Sequence, residues 1–96
     1  MPFQKKQRFC RPFQGATLFK PKGIPMCSVE LIVLYRDELE AIHLCDYEGL
    51  SQMESAEKMK ISTGTLQRIL YSGRKKVADA LFSGKALKII DHDYIK

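Results

Sequence analysis

The segment that decides the fold is LSQMESAEKMKISTGTLQRILY, residues 50–71. It predicts a short helix, a tight turn and a second helix whose outer side is polar and basic, which is the arrangement of a helix-turn-helix DNA reader. Ala56 supplies the small residue that two steeply crossing helices need at their contact. Lys60 stands in the turn, where a left-handed backbone favours glycine, and a lysine there costs about 1 kcal/mol without forbidding the motif. The apolar side chains expected in the shared core are Met59, Ile61, Leu66 and Ile69.

Serine stands at the predicted N-cap of both helices in this segment. Ser51 precedes the first helix, with a glutamate three residues later as in a capping box, and this helix is predicted to end near Met59. Ser62 precedes the second helix, whose apolar period continues as far as Ser83, before a glycine. Gly73 lies inside this long helix at a cost of about 1 kcal/mol relative to alanine, so we expect either a bend or a close helix contact there.

A further helix is predicted upstream, over residues 37–47. Asp37 and Glu40 are spaced as a capping box, and Gly49 is placed to stop the helix. Leu39 and Ile42 mark an apolar side. The other side of this helix carries acidic residues: Glu38, Glu40 and Glu48.

The start of the chain is predicted to be an arm. Residues 1–28 hold all four prolines and a net charge of +6, which excludes a long helix. Short extended pieces are plausible at residues 7–10 and 16–19, and the apolar side chains there indicate that part of the arm packs down.

These elements predict one mainly α domain. A helix-turn-helix three-helix core spans residues 29–85, preceded by the extended, partly ordered arm. Residues 31–35 are apolar and β-favouring, and their pattern fits either a buried strand or the lead-in to the next helix. Residues 86–96 are expected to form a short strand at 86–90 or a tail, with 91–96 as a frayed or dimer-contacting end.

The net charge of +5 conceals a segregation of charge along the chain. Residues 1–28 carry +6, residues 29–54 carry −6 and residues 55–85 carry +5. Separate basic blocks around an acidic helix favour two basic surfaces directed at a polyanion, of which nucleic acid is the obvious one. The alternative is that the basic blocks pair with the acidic block inside the fold or across a dimer.

The second helix of the motif is expected to lie in a major groove with its first turn toward the bases. Gln67 can bond adenine and Arg68 can bond guanine, each pair giving about 1–3 kcal/mol of discrimination. Ser51 and Gln52, at the start of the preceding helix, are expected on a phosphate, and Arg74, Lys75 and the arm lysines are expected to add affinity without specificity. The face predicted to meet DNA consists of Thr63, Gly64, Gln67, Arg68 and Tyr71. The alternative is an ordinary solvated helix side with a basic cluster that serves solubility.

The chain also resembles a known family in six blocks: FKPKGIP (19–25), DELEA (37–41), EGLSQ (48–52), TLQRIL (65–70), RKKVADAL (74–81) and GKAL (84–87). They look like uncharacterised protein family 0251, also called domain of unknown function 134, which resembles the helix-turn-helix of region 4 of bacterial sigma factors. The resemblance implies a transcriptional regulator. The DNA-facing positions that it implies are Ser62, Thr63, Thr65, Gln67 and Arg68. The chain departs from the family pattern at Lys60, Gly64 and Tyr35.

Other chemistry finds little support in the sequence. Cys10, Cys27 and Cys45 are isolated, so reduced thiols are expected and a disulfide framework is not. The spacing of these cysteines with His43 and His92 does not indicate a metal site, and no cofactor is expected. No nucleophile motif or phosphate-cradling glycine loop appears, so an enzyme is not predicted. The longest apolar run is far too short to span a membrane, which favours a cytoplasmic protein.

The sequence therefore predicts a sequence-specific binder of double-stranded DNA that regulates transcription. It is expected to act as a homodimer on two half-sites. The alternative is a protein-interaction adaptor with the same helices, in which the basic segments make only nonspecific contact with nucleic acid.

Overall fold

The computed structural model describes Cys10, Gly15 and residues 17–90 of the chain. Three helices and a small three-stranded sheet make up this part, which confirms the predicted mainly α fold with short strands. In chain order the elements are β1 Leu18–Phe19, a 3-10 turn Met26–Ser28, β2 Leu31–Tyr35, α1 Arg36–Ile42, a π-helical segment His43–Tyr47, α2 Gln52–Met59, α3 Thr63–Ser83 and β3 Ala86–Ile90.

The sheet joins three distant parts of the chain. β3 lies in its centre, parallel to β2 and antiparallel to β1, with Leu34 opposite Ile89 and Phe19 opposite Leu87. Parallel strands need a long crossover connection, and the three helices provide it between β2 and β3. The open alternative at residues 31–35 is therefore settled in favour of a strand.

The sheet also bears on the extended pieces predicted near the ends of the chain. Of the piece predicted at residues 16–19, Leu18–Phe19 form β1 and residue 16 lies outside the described residues, whereas the strand predicted at residues 86–90 is present in full as β3. Of the piece predicted at residues 7–10, only Cys10 lies within the described residues, and residues 91–96 lie outside them.

The main hydrophobic cluster lies where α1, α2 and α3 meet. Ala56 is buried in this cluster, and the apolar residues predicted for the shared core all pack there. Ser51 caps α2 and Ser62 caps α3, each by accepting a backbone N–H three residues later. Both N-caps and the end of α2 at Met59 are confirmed, because these signals are local in sequence.

The start of α1 differs from the prediction. Tyr35 occupies the N-cap position, and its backbone N–H donates to Oε1 of Glu38 over 3.0 Å. Asp37 lies inside the helix with its side chain fully buried, so the predicted capping box of Asp37 and Glu40 is wrong. The helix begins at Arg36, one residue before the predicted start, because the strand β2 leads directly into it.

The acidic side predicted for α1 is also wrong, because only its last member faces solvent. Glu48 is exposed, whereas Glu38 and Glu40 are each 4% exposed, and their neighbours Arg36 and Asp37 are buried as well. Charged side chains are buried in proteins only where other groups pair with them. Their burial depends on residues far away in sequence, which a local helical period does not reveal.

Glu38 shows how such a charge is accommodated between α1 and α3. One carboxylate oxygen, Oε1, accepts the Tyr35 N–H and the Nζ of Lys76 at 2.8 Å, and the other accepts the hydroxyl of Ser72. The ammonium of Lys76 also lies 4.7 Å from the centre of the Tyr35 ring. This network connects the two helices through a buried, fully hydrogen-bonded carboxylate.

At Gly73, α3 packs closely against α1. A Cβ added there would lie 3.0 Å from Cδ1 of Ile42 and 3.2 Å from Cβ of Glu38. These distances are too short for an ordinary carbon contact, so the close helix contact predicted at this glycine is confirmed.

The turn between α2 and α3 contains one residue with a left-handed backbone. Lys60 has φ 59° and ψ 44°, as predicted, and its N–H donates back to the last turn of α2. A side chain in this conformation places Cβ against the following carbonyl, which glycine avoids.

Replacing Lys60 with glycine is therefore expected to stabilise the protein by about 1 kcal/mol. Thermal unfolding followed by circular dichroism should show a midpoint higher by about 4–8 °C. Gly84 is the matched control, because it caps α3 at φ 68° with no atom within 4 Å of an added Cβ, so Gly84→Ala should lower the midpoint by a similar amount. An unchanged or lower midpoint for Lys60→Gly would contradict the assigned strain.

Candidate nucleic-acid interface

The first two turns of α3 present a polar surface to solvent. Leu66, Ile69 and Leu70 turn inward to the core. The side chains between them are exposed and form the α3 polar face: Thr63, Gly64, Gln67, Arg68 and Tyr71. All five of the residues predicted to share one outer face are therefore brought together on it.

Hydrogen bonds at the start of α3 orient the α3 polar face. The Ser62 Oγ accepts the Thr65 N–H at 3.1 Å and donates to the Thr65 Oγ1 at 2.9 Å. The same Oγ1 accepts Nη2 of Arg68 at 3.3 Å. Arg68 is exposed, and within the described residues its guanidinium makes this one hydrogen bond, which leaves its other donors available to a ligand.

A second helix N-terminus stands at the start of α2. Ser51 is exposed and its Oγ accepts the Glu54 N–H at 3.0 Å, while Oε1 of Glu54 accepts the Ser51 N–H. Gln52, the first residue of α2, is half-buried. The predicted capping box is thus confirmed, and it holds the end of α2 at which a phosphate was expected.

The capping box also affects the titration of Glu54. Its pKa is lowered, first by the backbone N–H of Ser51, then by the hydroxyl of Ser51 and by the nearby Lys58. A carboxylate with a lowered pKa in the folded state adds stability above its unfolded pKa, and that stability is lost as the pH falls through the folded value. Capping of α2 by Glu54 therefore persists in mildly acid solution and is lost only below the ordinary pKa of a glutamate.

The basic cluster in the middle of α3 is partly neutralised by the fold. Arg74 forms a two-pronged ion pair with Asp46 of the π-helical segment, at 2.7 and 3.1 Å, and this hydrogen-bonded carboxylate raises the pKa of Arg74. Lys76 pairs with the buried Glu38 at 2.8 Å. Internal pairing, the alternative considered for the basic blocks, thus occurs at these two residues.

Lys75 differs from its two neighbours. It is exposed on the side of α3 that follows the α3 polar face, and no ion pair within 4.0 Å is recorded for it in the described part of the chain. Of the two residues predicted to add affinity without specificity, Lys75 is therefore the better placed.

An apolar surface that was not predicted from the sequence lies at the other end of α3. Leu81 is 80% exposed and Phe82 is 94% exposed, although Leu81 fits the apolar period of the helix. The helix extends past the core here, so the period continues without a partner to bury it. The sequence signal for this surface was the pair of consecutive large apolar residues just before Gly84, which ends the helix.

No helix in the described part of the chain is both long and apolar enough to cross a membrane. Within the same residues, His, Cys, Asp and Glu side chains do not gather in groups of three that could hold a metal ion. The assignment of no metal and no cofactor stays a prediction.

Comparison with known proteins identifies relatives along most of the chain. A UPF0251 protein of Thermoanaerobacter pseudethanolicus is 48% identical over 94 residues, which cover 98% of this chain and 80% of the relative. A UPF0251 protein of Pelotomaculum thermopropionicum is 51% identical over 89 residues, covering 93% of this chain and 67% of the relative. In Methanosarcina acetivorans a UPF0251 protein is 44% identical over 91 residues, covering 95% and 54%.

No solved structure matches the chain. The model of one protein family does match, over residues 3–96, and that family is described as a protein of unknown function, DUF134. The match spans nearly the entire sequence and agrees with the named relatives. The chain therefore belongs to the DUF134 family, whose members among these relatives carry the name UPF0251.

Proposed function

We propose that this protein binds double-stranded DNA in a sequence-specific way through α2, the Lys60 turn and α3, which act as a helix-turn-helix. The observation that carries the proposal is the α3 polar face, which is exposed at the start of a well-capped helix while the opposite side of that helix is buried. A recognition helix needs this combination, because its inner side must hold it rigidly while its outer side enters the major groove. The proposed role is binding rather than catalysis.

The side chains of the α3 polar face suit contacts with base edges. Arg68 carries a planar donor set that fits O6 and N7 of guanine, and Gln67 fits N6 and N7 of adenine. Thr65 holds Arg68 on this face through the hydroxyl bond described above. Gly64 leaves space in the first turn, which permits a close approach of the DNA but provides no side-chain contact.

Phosphate contacts would position the protein on the duplex. The capped start of α2, with Ser51 and Gln52, presents backbone N–H groups and the positive end of the helix dipole, which suit a phosphate. Lys75 adds a positive charge beside the α3 polar face, and the basic residues of the arm add more. The segregation of charge along the chain supports this distribution.

Regulation of transcription is the role that we propose for this binding. The support is what the sequence resemblance implies, namely that the family resembles region 4 of bacterial sigma factors, a DNA-binding helix-turn-helix. A homodimer is part of the proposal, because a single short recognition helix rarely gives enough specificity, and two half-sites multiply it.

The salt dependence of duplex binding tests the proposal. Affinity for duplex DNA should fall steeply as salt rises, with a slope of log K against log salt of about −4 or steeper, since each phosphate contact contributes about −0.9. A slope near zero would contradict DNA binding and favour the adaptor alternative, whereas a steep slope with equal binding of unrelated polyanions would contradict sequence specificity. The measurement is fluorescence anisotropy with a labelled duplex at salt concentrations between about 50 and 200 mM.

Adjacent residues of α3 provide a matched pair for this experiment. Lys75→Gln should make the slope shallower by about 1, because one phosphate contact is lost. Arg74→Gln should change the slope less, because its charge is already paired with Asp46. Equal effects of the two substitutions would show that the slope depends on the total charge of the protein and not on a phosphate contact made by Lys75.

A further inference from the structure

A groove with mainly apolar walls lies between the C-terminal half of α3 and the part of the sheet that contains β1. Its volume is about 550 Å³, within the range of about 300–1,000 Å³ that is usual for small-molecule sites. We call it the α3–β1 groove. Its apolar walls are Val77 and Leu81 of α3, Phe19 of β1 and Leu87 of β3, and Lys20 and Pro21, which follow β1, line it as well.

We propose that the α3–β1 groove binds a small amphiphilic anion, a molecule with an apolar body and one carboxylate at its end. The apolar body lies between Phe19 and Leu81, and the carboxylate pairs with the ammonium group of Lys20. This site is separate from the α3 polar face, and the proposal does not depend on DNA binding.

The walls of the groove supply apolar surface that the fold itself leaves uncovered. Phe19 is 54% exposed and Leu81 is 80% exposed, although both line the same concavity. Exposed apolar side chains that are scattered singly need no explanation, but those that share one concave surface indicate a binding site. A ligand gains about fourfold in affinity for each methylene group that it fully removes from water.

Lys20 supplies the charge that selects an anion. Its Nζ donates to the carbonyl oxygen of Ile24 at 2.6 Å and lies 3.4 Å from that of Pro21, a lining residue. The ammonium group is therefore held beside the groove by neutral acceptors. Among the described residues no carboxylate forms an ion pair with it, so its charge is available to the carboxylate of a ligand.

The other lysine that lines the groove is already neutralised. Nζ of Lys85 lies 3.1 Å from Oδ2 of Asp79 and 3.7 Å from Oε1 of Glu30. The hydrogen bond between Lys85 and Asp79 raises the pKa of the lysine and lowers that of the aspartate, so both stay charged near neutral pH. Two carboxylates beside this ammonium group leave no attraction for a third, which assigns the anionic end of the ligand to Lys20.

Leu81 and Phe82 provide a matched pair for the test. Both are highly exposed, at 80% and 94%, so replacing either should leave folding unchanged. Leu81 lines the groove and Phe82 does not, because successive residues of an α-helix point about 100° apart. A ligand in the groove contacts the first, whereas general adhesion to exposed apolar surface involves both.

Isothermal titration calorimetry with decanoate, below its micelle concentration, tests the apolar part of the site. The unmodified protein should bind one decanoate with a dissociation constant below about 1 mM, and affinity should rise about 2- to 4-fold per methylene from hexanoate to decanoate. Leu81→Ser should lower the affinity at least about 5-fold, whereas Phe82→Ser should change it less than about 2-fold.

Lys20→Gln tests the anionic part of the site. It should lower the affinity for decanoate about 2- to 5-fold, as expected for a solvent-exposed ion pair, and leave the affinity for decanol unchanged. Lys88→Gln is the control, because Lys88 is exposed on β3 and does not line the groove, and this variant should bind decanoate like the unmodified protein.

Three results would overturn the proposal. They are no saturable binding of decanoate by the unmodified protein, equal losses in Leu81→Ser and Phe82→Ser, and equal losses in Lys20→Gln and Lys88→Gln. The experiment contains no DNA, so its outcome is independent of the salt dependence of duplex binding. Failure of decanoate binding leaves the proposed function in place, and failure of duplex binding leaves the site in the groove in place.

Discussion

Replacing Glu38 with alanine should destabilise the protein by about 3 kcal/mol, the largest effect that we expect from a single substitution. The carboxylate is 4% exposed and accepts hydrogen bonds from Tyr35, Ser72 and Lys76. Its removal leaves three donors without their acceptor between α1 and α3. The side chain of Lys76 keeps 27% of its surface exposed, so solvent screens its charge. The expected loss of unfolding free energy is therefore at the lower end of the range found when one partner of a buried ion pair is removed.

Urea unfolding followed by circular dichroism measures this loss. Glu57→Ala, at an exposed position of α2, is the control and should change the free energy of unfolding by less than about 0.5 kcal/mol. Glu38→Gln keeps the shape and part of the hydrogen bonding, so its loss should lie between the other two. Equal stability of Glu38→Ala and Glu57→Ala would show that the network does not hold α1 against α3.

Replacing Arg68 with alanine should lower the preference for the cognate duplex about 5- to 150-fold, which corresponds to the discrimination of one two-pronged contact with guanine. Because Arg68 is exposed and, in the part of the chain that the structure describes, its side chain bonds only to the hydroxyl of Thr65, folding should be unchanged. The measurement is the ratio of dissociation constants for a selected duplex and a scrambled one at the same salt concentration.

Two further variants separate specificity from general affinity. Lys75→Gln should weaken binding to both duplexes by the same factor, because a phosphate contact carries no base sequence. Thr65→Val removes the hydroxyl that orients Arg68 and should cause a smaller loss of preference than Arg68→Ala. If Arg68→Ala weakened both duplexes equally, Arg68 would be a phosphate contact and not a base contact.

The helices α2 and α3 could be predicted from the sequence because their ends are fixed locally. Ser51 and Ser62 accept backbone N–H groups three residues away, and Gly84 ends α3 with a left-handed backbone. The strain at Lys60 could be predicted because a left-handed turn favours glycine and this position holds lysine. The close contact at Gly73 could be predicted because a glycine inside a helix often marks a close approach of another helix.

The features that sequence did not predict depend on partners distant in the chain. Glu38 was placed on an outer acidic side, but it is buried because Lys76, thirty-eight residues later, pairs with it. The strand β2 is settled only by pairing with β3, and the apolar period at Leu81 gave no indication that the core ends before it. In the candidate site, the helical period predicted which residues are exposed. It could not predict that Arg74 pairs with Asp46, which lies on another element.

The central proposal is that the outer side of α3 recognises base sequence. Selection from a library of random duplex DNA tests it most directly. The unmodified protein should recover a recurring motif, and the double variant Gln67→Ala and Arg68→Ala should recover a degenerate motif or none while remaining folded. Recovery of the same motif by the double variant, or of no motif by the unmodified protein at low salt, would contradict the account.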